Sequence, residues 1–136
     1  MSHDDSRQHF HRETINVDRN RRSDFDYIVK RRDHVQINAV TGVSNKLITV
    51  FLHFVPDRHI LAPNDGLISY YESIGLEIWN SPEEFGQAIV DDLNNELVPR
   101  WLRLQVRFDD GHELIFEDRQ PNWHNDGLLA QLLIKV

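Results

Sequence analysis

SPEEFGQAIVDDLNNELVPRWLRLQVRF, residues 81 to 108, changes its hydrophobic period in the middle. Up to Pro99, Phe85, Ile89, Leu93 and Leu97 recur at helical spacing with Ala88 beside them, which predicts an amphipathic helix. Ser81 before Pro82, with Glu84 three residues on, reads as an N-cap, a first helical position and a capping box. Pro99 stops the helix, because its ring and missing N–H do not fit a helix interior. Beyond it Trp101, Leu102, Leu104, Val106 and Phe108 alternate with Arg103, Gln105 and Arg107, the period of two of a half-buried strand. DDGH then supplies a hairpin turn and ELIFED a returning strand. A helix that feeds an antiparallel hairpin predicts the α+β class.

Reading outward, PNDGLISYYESIGLEIW, residues 63 to 79, repeats Leu67, Tyr70, Tyr71, Ile74 and Ile78 at helical spacing after an Asn64 or Asp65 cap. Gly75 interrupts it, so this helix is expected to be short. KLITVFLHFVP, residues 46 to 56, is a strand rich in β-branched and aromatic residues. From residue 25 to 40, Tyr27, Val29, Val35, Ile37 and Ala39 fall on odd positions, a second strand with period two. TGVSN joins the two as a hairpin turn longer than the tightest type. The order is therefore β, β, α, α, β, β over residues 25–118. Residues 1–24 are a polar arm, expected to be partly ordered at best, and residues 119–136 form a C-terminal extension whose apolar end suits either a helix or a strand.

Composition sets outer limits. A chain of 136 residues, 40% hydrophobic and 27% charged, is the size and make-up of one globular domain. No stretch approaches the roughly 20 apolar residues that cross a bilayer, and the start has no apolar signal region. A cytoplasmic location with no membrane partner is the expectation. The formal charge of −7 argues against a nucleic-acid partner. Arg19, Arg21, Arg22, Lys30, Arg31 and Arg32 cluster, but interspersed Asp residues make them read as a solvated face. The absence of cysteine excludes disulfides, thiolate zinc sites and a thiol nucleophile together. The only close histidine pair, His9 and His11, lies in the polar arm and is too small a set for a metal site, so none is expected.

Four stretches carry a family resemblance: NAVTG at 38–42, FVPDR at 54–58, EEFGQAIVDDL at 83–93 and VPRWLRLQVRF at 98–108. In their order and spacing the chain resembles the 7-cyano-7-deazaguanine reductases, the nitrile reductases of queuosine biosynthesis. That resemblance implies the tunnelling fold, or T-fold: an antiparallel four-stranded sheet carrying two helices on one face, whose subunits assemble as homo-oligomers through sheet edges and bind purine- or pterin-like ligands between them. Layer packing supports the same arrangement, since two amphipathic helices most easily cover one face of a single sheet.

The departures bear on activity. The family's loop runs Cys-Pro-x-Thr-Gly and is followed shortly by Asp; the cysteine adds to the nitrile as a thioimide and the aspartate supplies protons. Here Thr41 and Gly42 match, whereas Asn38 takes the cysteine position, Ala39 the proline, and Asn45 or Lys46 the aspartate. An amide neither forms the thioimide nor donates a proton usefully near neutral pH. The family's Glu-Ser-Lys-Ser stretch is replaced by APNDG, and its Arg-Gly-Gly turn by Gly111, His112 and Glu113. Both cationic contacts for a phosphorylated nicotinamide are lost, so NADPH is not expected to be a cofactor, and no other cofactor is implied. One position persists: Glu83 matches the glutamate that grips the amidine-like N–H edge of the ring. A first-turn glutamate also gains from the helix dipole, which is its plainer explanation.

The expected ligand-binding residues are thus Glu83, Thr41 and Asn38. The function expected is a reductase relative that has lost its reaction and binds a purine- or pterin-like heterocycle, or serves as a non-catalytic partner subunit. The alternative is an enzyme of altered chemistry, independent of thiol and metal, on a deazapurine or pterin, with Glu83 and Lys46 or Asn38 taking part. Tyr70, Tyr71 and Trp101 suit stacking on a flat ring but fit a core equally well. His53, alternating within a strand, reads as a pairing or core residue.

Overall fold

The computed structural model describes residues 11–37 and 47–133. Its main sheet is antiparallel, with four strands in the order β2, β3, β5, β6: β2 is Val29–Gln36, β3 Leu47–Val55, β5 Trp101–Phe108 and β6 Glu113–Arg119. Between the two hairpins lie α1, Leu67–Gly75, and α2, Pro82–Leu97. The expected α+β class and β, β, α, α, β, β order are both present.

The alternation along each strand divides the sheet into two faces. Val35, Ile48, Val50, Leu52, Phe54, Leu102, Leu104, Val106 and Phe108 are buried on one face and join the helices in a single core. The helices contribute Leu67, Tyr70, Tyr71, Ile74, Phe85, Ile89, Leu93 and Leu97, all fully buried. Each such side chain supplies roughly 1.5–3 kcal/mol on removal from water. Tyr70 and Tyr71 are members of this core, and Trp101 is buried on the other face of the sheet, so none of the three is an open stacking platform. Ile78, expected on the buried stripe, lies past the end of α1 and is 82% exposed, because the helix stops at Gly75.

Local sequence explains the helix ends. Ser81 accepts a hydrogen bond from the Glu84 N–H at 3.1 Å, and Pro82 opens α2 as the sequence predicts. At α1 the cap position belongs to Gly66, with φ 70°, while the Asp65 carboxylate accepts from the Leu67 N–H at 2.8 Å. Gly75 ends α1 against Ile37, where a side chain would collide with the isoleucine. Between the helices, the Tyr70 hydroxyl donates to Asp92 at 2.6 Å. Burial is the main reason the Asp92 carboxyl is pushed up to about 6.

Residues assigned to the polar arm add a second, two-stranded sheet. β1, Val17–Arg19, pairs antiparallel with β4, His59–Leu61, and Ile15 and Asn20 are buried. A hub centred on Arg100 holds this region. Its guanidinium donates to Asp26 at 2.9 Å, to Asp57 at 3.2 Å and to the Ser23 carbonyl at 2.7 Å. Asp26 also accepts from Trp123 at 3.2 Å and Asn125 at 3.1 Å, so the segment after β6 joins the same hub. That segment ends in a short helix, α3, Asp126–Leu129, and a 3₁₀ turn, Ala130–Leu133. Among the described residues no helix is long and apolar enough to cross a membrane.

Candidate functional site

Register brings several expected site elements to one end of the main sheet. β2 ends at Gln36 opposite Leu47, so both ends of the 38–46 segment emerge there. Ile48 of β3 pairs with Phe108, the last residue of β5, and Arg107 pairs with Glu113, the first of β6. The β5–β6 turn therefore lies at the same end. Glu83, in the first turn of α2, reaches that turn: its Oε1 is 3.8 Å from Nε2 of His112. Asn38, Thr41, Asn45 and Lys46 fall outside the described residues.

A run of aromatic contacts fixes this corner. Trp79 packs edge-on against Phe85 with ring centres 5.9 Å apart, Phe85 lies 6.5 Å from Phe108, and Phe108 meets the His112 ring edge at 5.7 Å. The turn backbone is pinned as well: the Phe108 N–H donates to the His112 carbonyl at 2.7 Å, and the His112 N–H donates to Asp110 at 3.0 Å. Gly111, at φ 95°, supplies the left-handed residue the turn needs. The Glu83 side chain itself is 62% exposed and the His112 side chain 38%, so both present polar atoms outward from a rigid base.

Beside them is a concavity of about 210 Å³ lined by Leu47, Thr49, Arg107, Phe108, Asp109, Gly111 and Glu113. Glu113 accepts from Gln105 at 2.7 Å and from Arg107 at 3.3 Å, and these bonds hold its carboxyl below the ordinary value. A larger concavity, about 650 Å³, borders the two-stranded sheet and contains no site residue expected from the sequence.

The corner offers a carboxylate that accepts two N–H bonds and an imidazole that donates or accepts one. His112 was not an expected site residue. Sequence shows it only in a turn that lacks the family's Arg-Gly-Gly, and its approach to Glu83 is a contact between elements 29 positions apart. His11, weighed as a metal ligand, instead contacts Ser73 at 2.9 Å and Glu77 at 3.2 Å, and His9 lies outside the described residues.

No family model matches the chain. Over 91 residues it is 34% identical to the NADPH-dependent 7-cyano-7-deazaguanine reductases of two strains of Acidithiobacillus ferrooxidans. The matched stretch is 60% of this chain and 59% of each relative, so under two thirds of the relatives' length is represented. The resemblance carried by the four sequence stretches is borne out.

Proposed function

We propose that this chain is a relative of the nitrile reductases that has lost the reaction and retains a binding corner for a purine- or pterin-like heterocycle, with Glu83 as the anchor. The observation that carries this reading is the absence of any cysteine in a chain that is 34% identical over 91 residues to enzymes of that name. A thioimide needs a sulfur nucleophile, and Asn38 stands where the family has one. With Asn45 or Lys46 in place of the acid, nucleophile and proton donor are lost together.

The T-fold assignment belongs to the same proposal. Among the described residues β2 and β6 are the edge strands of the main sheet, each with one unpaired row of backbone groups, so a homo-oligomer joined through these edges would place a second copy near the Glu83 corner. A non-catalytic subunit in a mixed assembly uses the same edges. A cytoplasmic location, without a nucleic-acid or membrane partner, goes with this reading.

The experiment is a thermal-shift panel of 7-cyano-7-deazaguanine, guanine and pterin, with size-exclusion light scattering of the same samples. A ligand that binds only the native state adds about 2.7 kcal/mol at 100 times its dissociation constant. Glu83→Gln is expected to remove that shift; a shift that survives the substitution discredits the anchor. Turnover of 7-cyano-7-deazaguanine with NADPH is expected to be absent, and any rate above background refutes the loss of the reaction. The Glu83–His112 pair favours one second reading, an enzyme using carboxylate and imidazole without thiol or metal. Chemical change of a stabilising ligand on incubation, detected by mass spectrometry, separates that reading from simple binding.

A further inference from the structure

The face of the main sheet away from the helices carries cross-strand rows that differ in charge balance. One row is His34, Thr49, Arg107 and Glu113; the next is Arg32, Phe51, Gln105 and Ile115; the third is Lys30, His53, Arg103 and Glu117. The first row is internally matched: Arg107 pairs with Glu113 at 3.3 Å, and His34 bonds Thr49 at 3.1 Å.

The third row is not matched. Glu117, opposite Arg103, gives one oxygen to the Trp101 indole N–H at 2.9 Å and the other to Arg119 at 3.2 Å. Arg103, Lys30 and Arg32 have no hydrogen bond or ion pair among the described residues. His53, between Lys30 and Arg103, has a buried Nδ1 with no hydrogen-bond partner among the described residues. Lys30 and Arg103 flank β3 from the strands on either side of it, so like charge gathers around His53, and a buried polar atom without a partner destabilises a fold. These cations collect on a chain whose formal charge is −7.

We propose that Lys30, His53 and Arg103, with Arg32 beside them, form a binding site for a phosphoryl group. A phosphate monoester presents three acceptor oxygens and nearly two negative charges. Arg103 supplies a planar fork of donors, Lys30 a point charge, and His53 a ring N–H through Nε2, the nitrogen that is not buried. Strand spacing near 4.8 Å puts these groups at separations one phosphoryl group can span through flexible side chains. Burial, then Lys30 and Arg103, hold the His53 imidazole below its ordinary value, so near neutral pH the ring donates through one nitrogen only. The site lies across the sheet from the helix that carries Glu83, and it stands independently of the heterocycle reading.

Titration of the full chain with inorganic phosphate, at an ionic strength held constant with sodium chloride and followed by the His53 ring resonances, tests this. Saturable shifts are expected with phosphate and not with chloride alone. Arg103→Gln and Lys30→Gln should each weaken binding about tenfold or more, the usual scale for one charge-assisted hydrogen bond. Arg21→Gln, an exposed cation outside the sheet, should leave affinity unchanged. Guanosine monophosphate and guanosine serve as further arms: a tighter monophosphate identifies a nucleotide as the source of the group, and equal affinity for monophosphate and phosphate identifies the free anion. Responses to phosphate that match chloride, or an Arg103→Gln protein that binds as the parent does, overturn the proposal. Equal losses in Arg21→Gln and Arg103→Gln also overturn it, since net charge alone then accounts for binding.

Discussion

Replacing Gly75 with Ala sets two contributions against each other at the end of α1. Helix propensity favours Ala over Gly by about 1 kcal/mol in a helix interior, and by less at a terminal position. Opposing it, the new Cβ would sit 2.6 Å from Cβ of Ile37 and 3.3 Å from its Cα. Non-bonded carbons rest at about 3.5–4.0 Å, so the helix end must retreat from β2 by about 1 Å. Ile37 is 4% exposed and directly follows β2, so its buried side chain has little room to swing away. Overpacking of this kind costs about 1–3 kcal/mol, which leaves Gly75→Ala less stable by about 1–2 kcal/mol. For a domain of this size that is a fall of about 3–8 °C in Tm. Urea unfolding followed by far-UV circular dichroism should show a lower midpoint at an unchanged slope. Ile37→Ala alone should cost about 2–4 kcal/mol, and the double variant should fall short of the sum by about 1 kcal/mol, because the collision is partly relieved. A Gly75→Ala protein as stable as the parent refutes the reasoning, for propensity would then outweigh contact. The position matters because Ile37 directly precedes the segment holding Asn38 and Thr41.

Two further outcomes follow from buried charge and backbone strain. Asp92 has a folded-state pKa raised from 3.8 to about 6, so between those values the folded chain holds a proton the unfolded chain has released. Its contribution to stability therefore falls as pH rises from about 4 to 6, and the stability of Asp92→Asn relative to the parent should increase by about 1–3 kcal/mol over that window; a difference that stays constant with pH refutes the assignment. Val98, at the end of α2, adopts φ 44°, and it is 52% exposed. A β-branched residue in that region costs about 1–2 kcal/mol, so Val98→Gly should raise the unfolding midpoint by an amount equivalent to about 0.5–1 kcal/mol after the added freedom of the unfolded chain is subtracted. A lowered midpoint would mean that the side chain contributes packing that its exposure conceals.

Much of the fold was legible because its signals are local. The α2 start rests on Ser81, Pro82 and Glu84 within one turn, and its stripe from Phe85 to Leu97 repeats often enough to be read alone. β3 and β5 announce themselves by alternation and length. The parts that escaped depend on partners distant in sequence. β1 and β4 are three-residue strands, too short for any period to show, and they exist through mutual pairing. Arg31 and Asp33 face inward on β2 although their charge suggests the opposite; Arg31 can do so because it meets Asp65 ahead of α1 as well as Asp33. Of the site, Glu83 was legible from its place in α2, and the resemblance supplied its role. Its neighbour His112 was not, since nothing local in DDGH indicates which helix end the turn will meet.

The Arg100 hub ties together stretches that lie far apart along the chain: Ser23 and Asp26 before β2, Asp57 between β3 and β4, and, through Asp26, Trp123 and Asn125 after β6. Amide protons in these stretches should therefore exchange with solvent as one cooperative unit, separate from the slower sheet. Proteolytic clipping after β6 would then be felt more than 90 residues upstream, as faster exchange around Asp26, even though the cut leaves every strand of the main sheet whole.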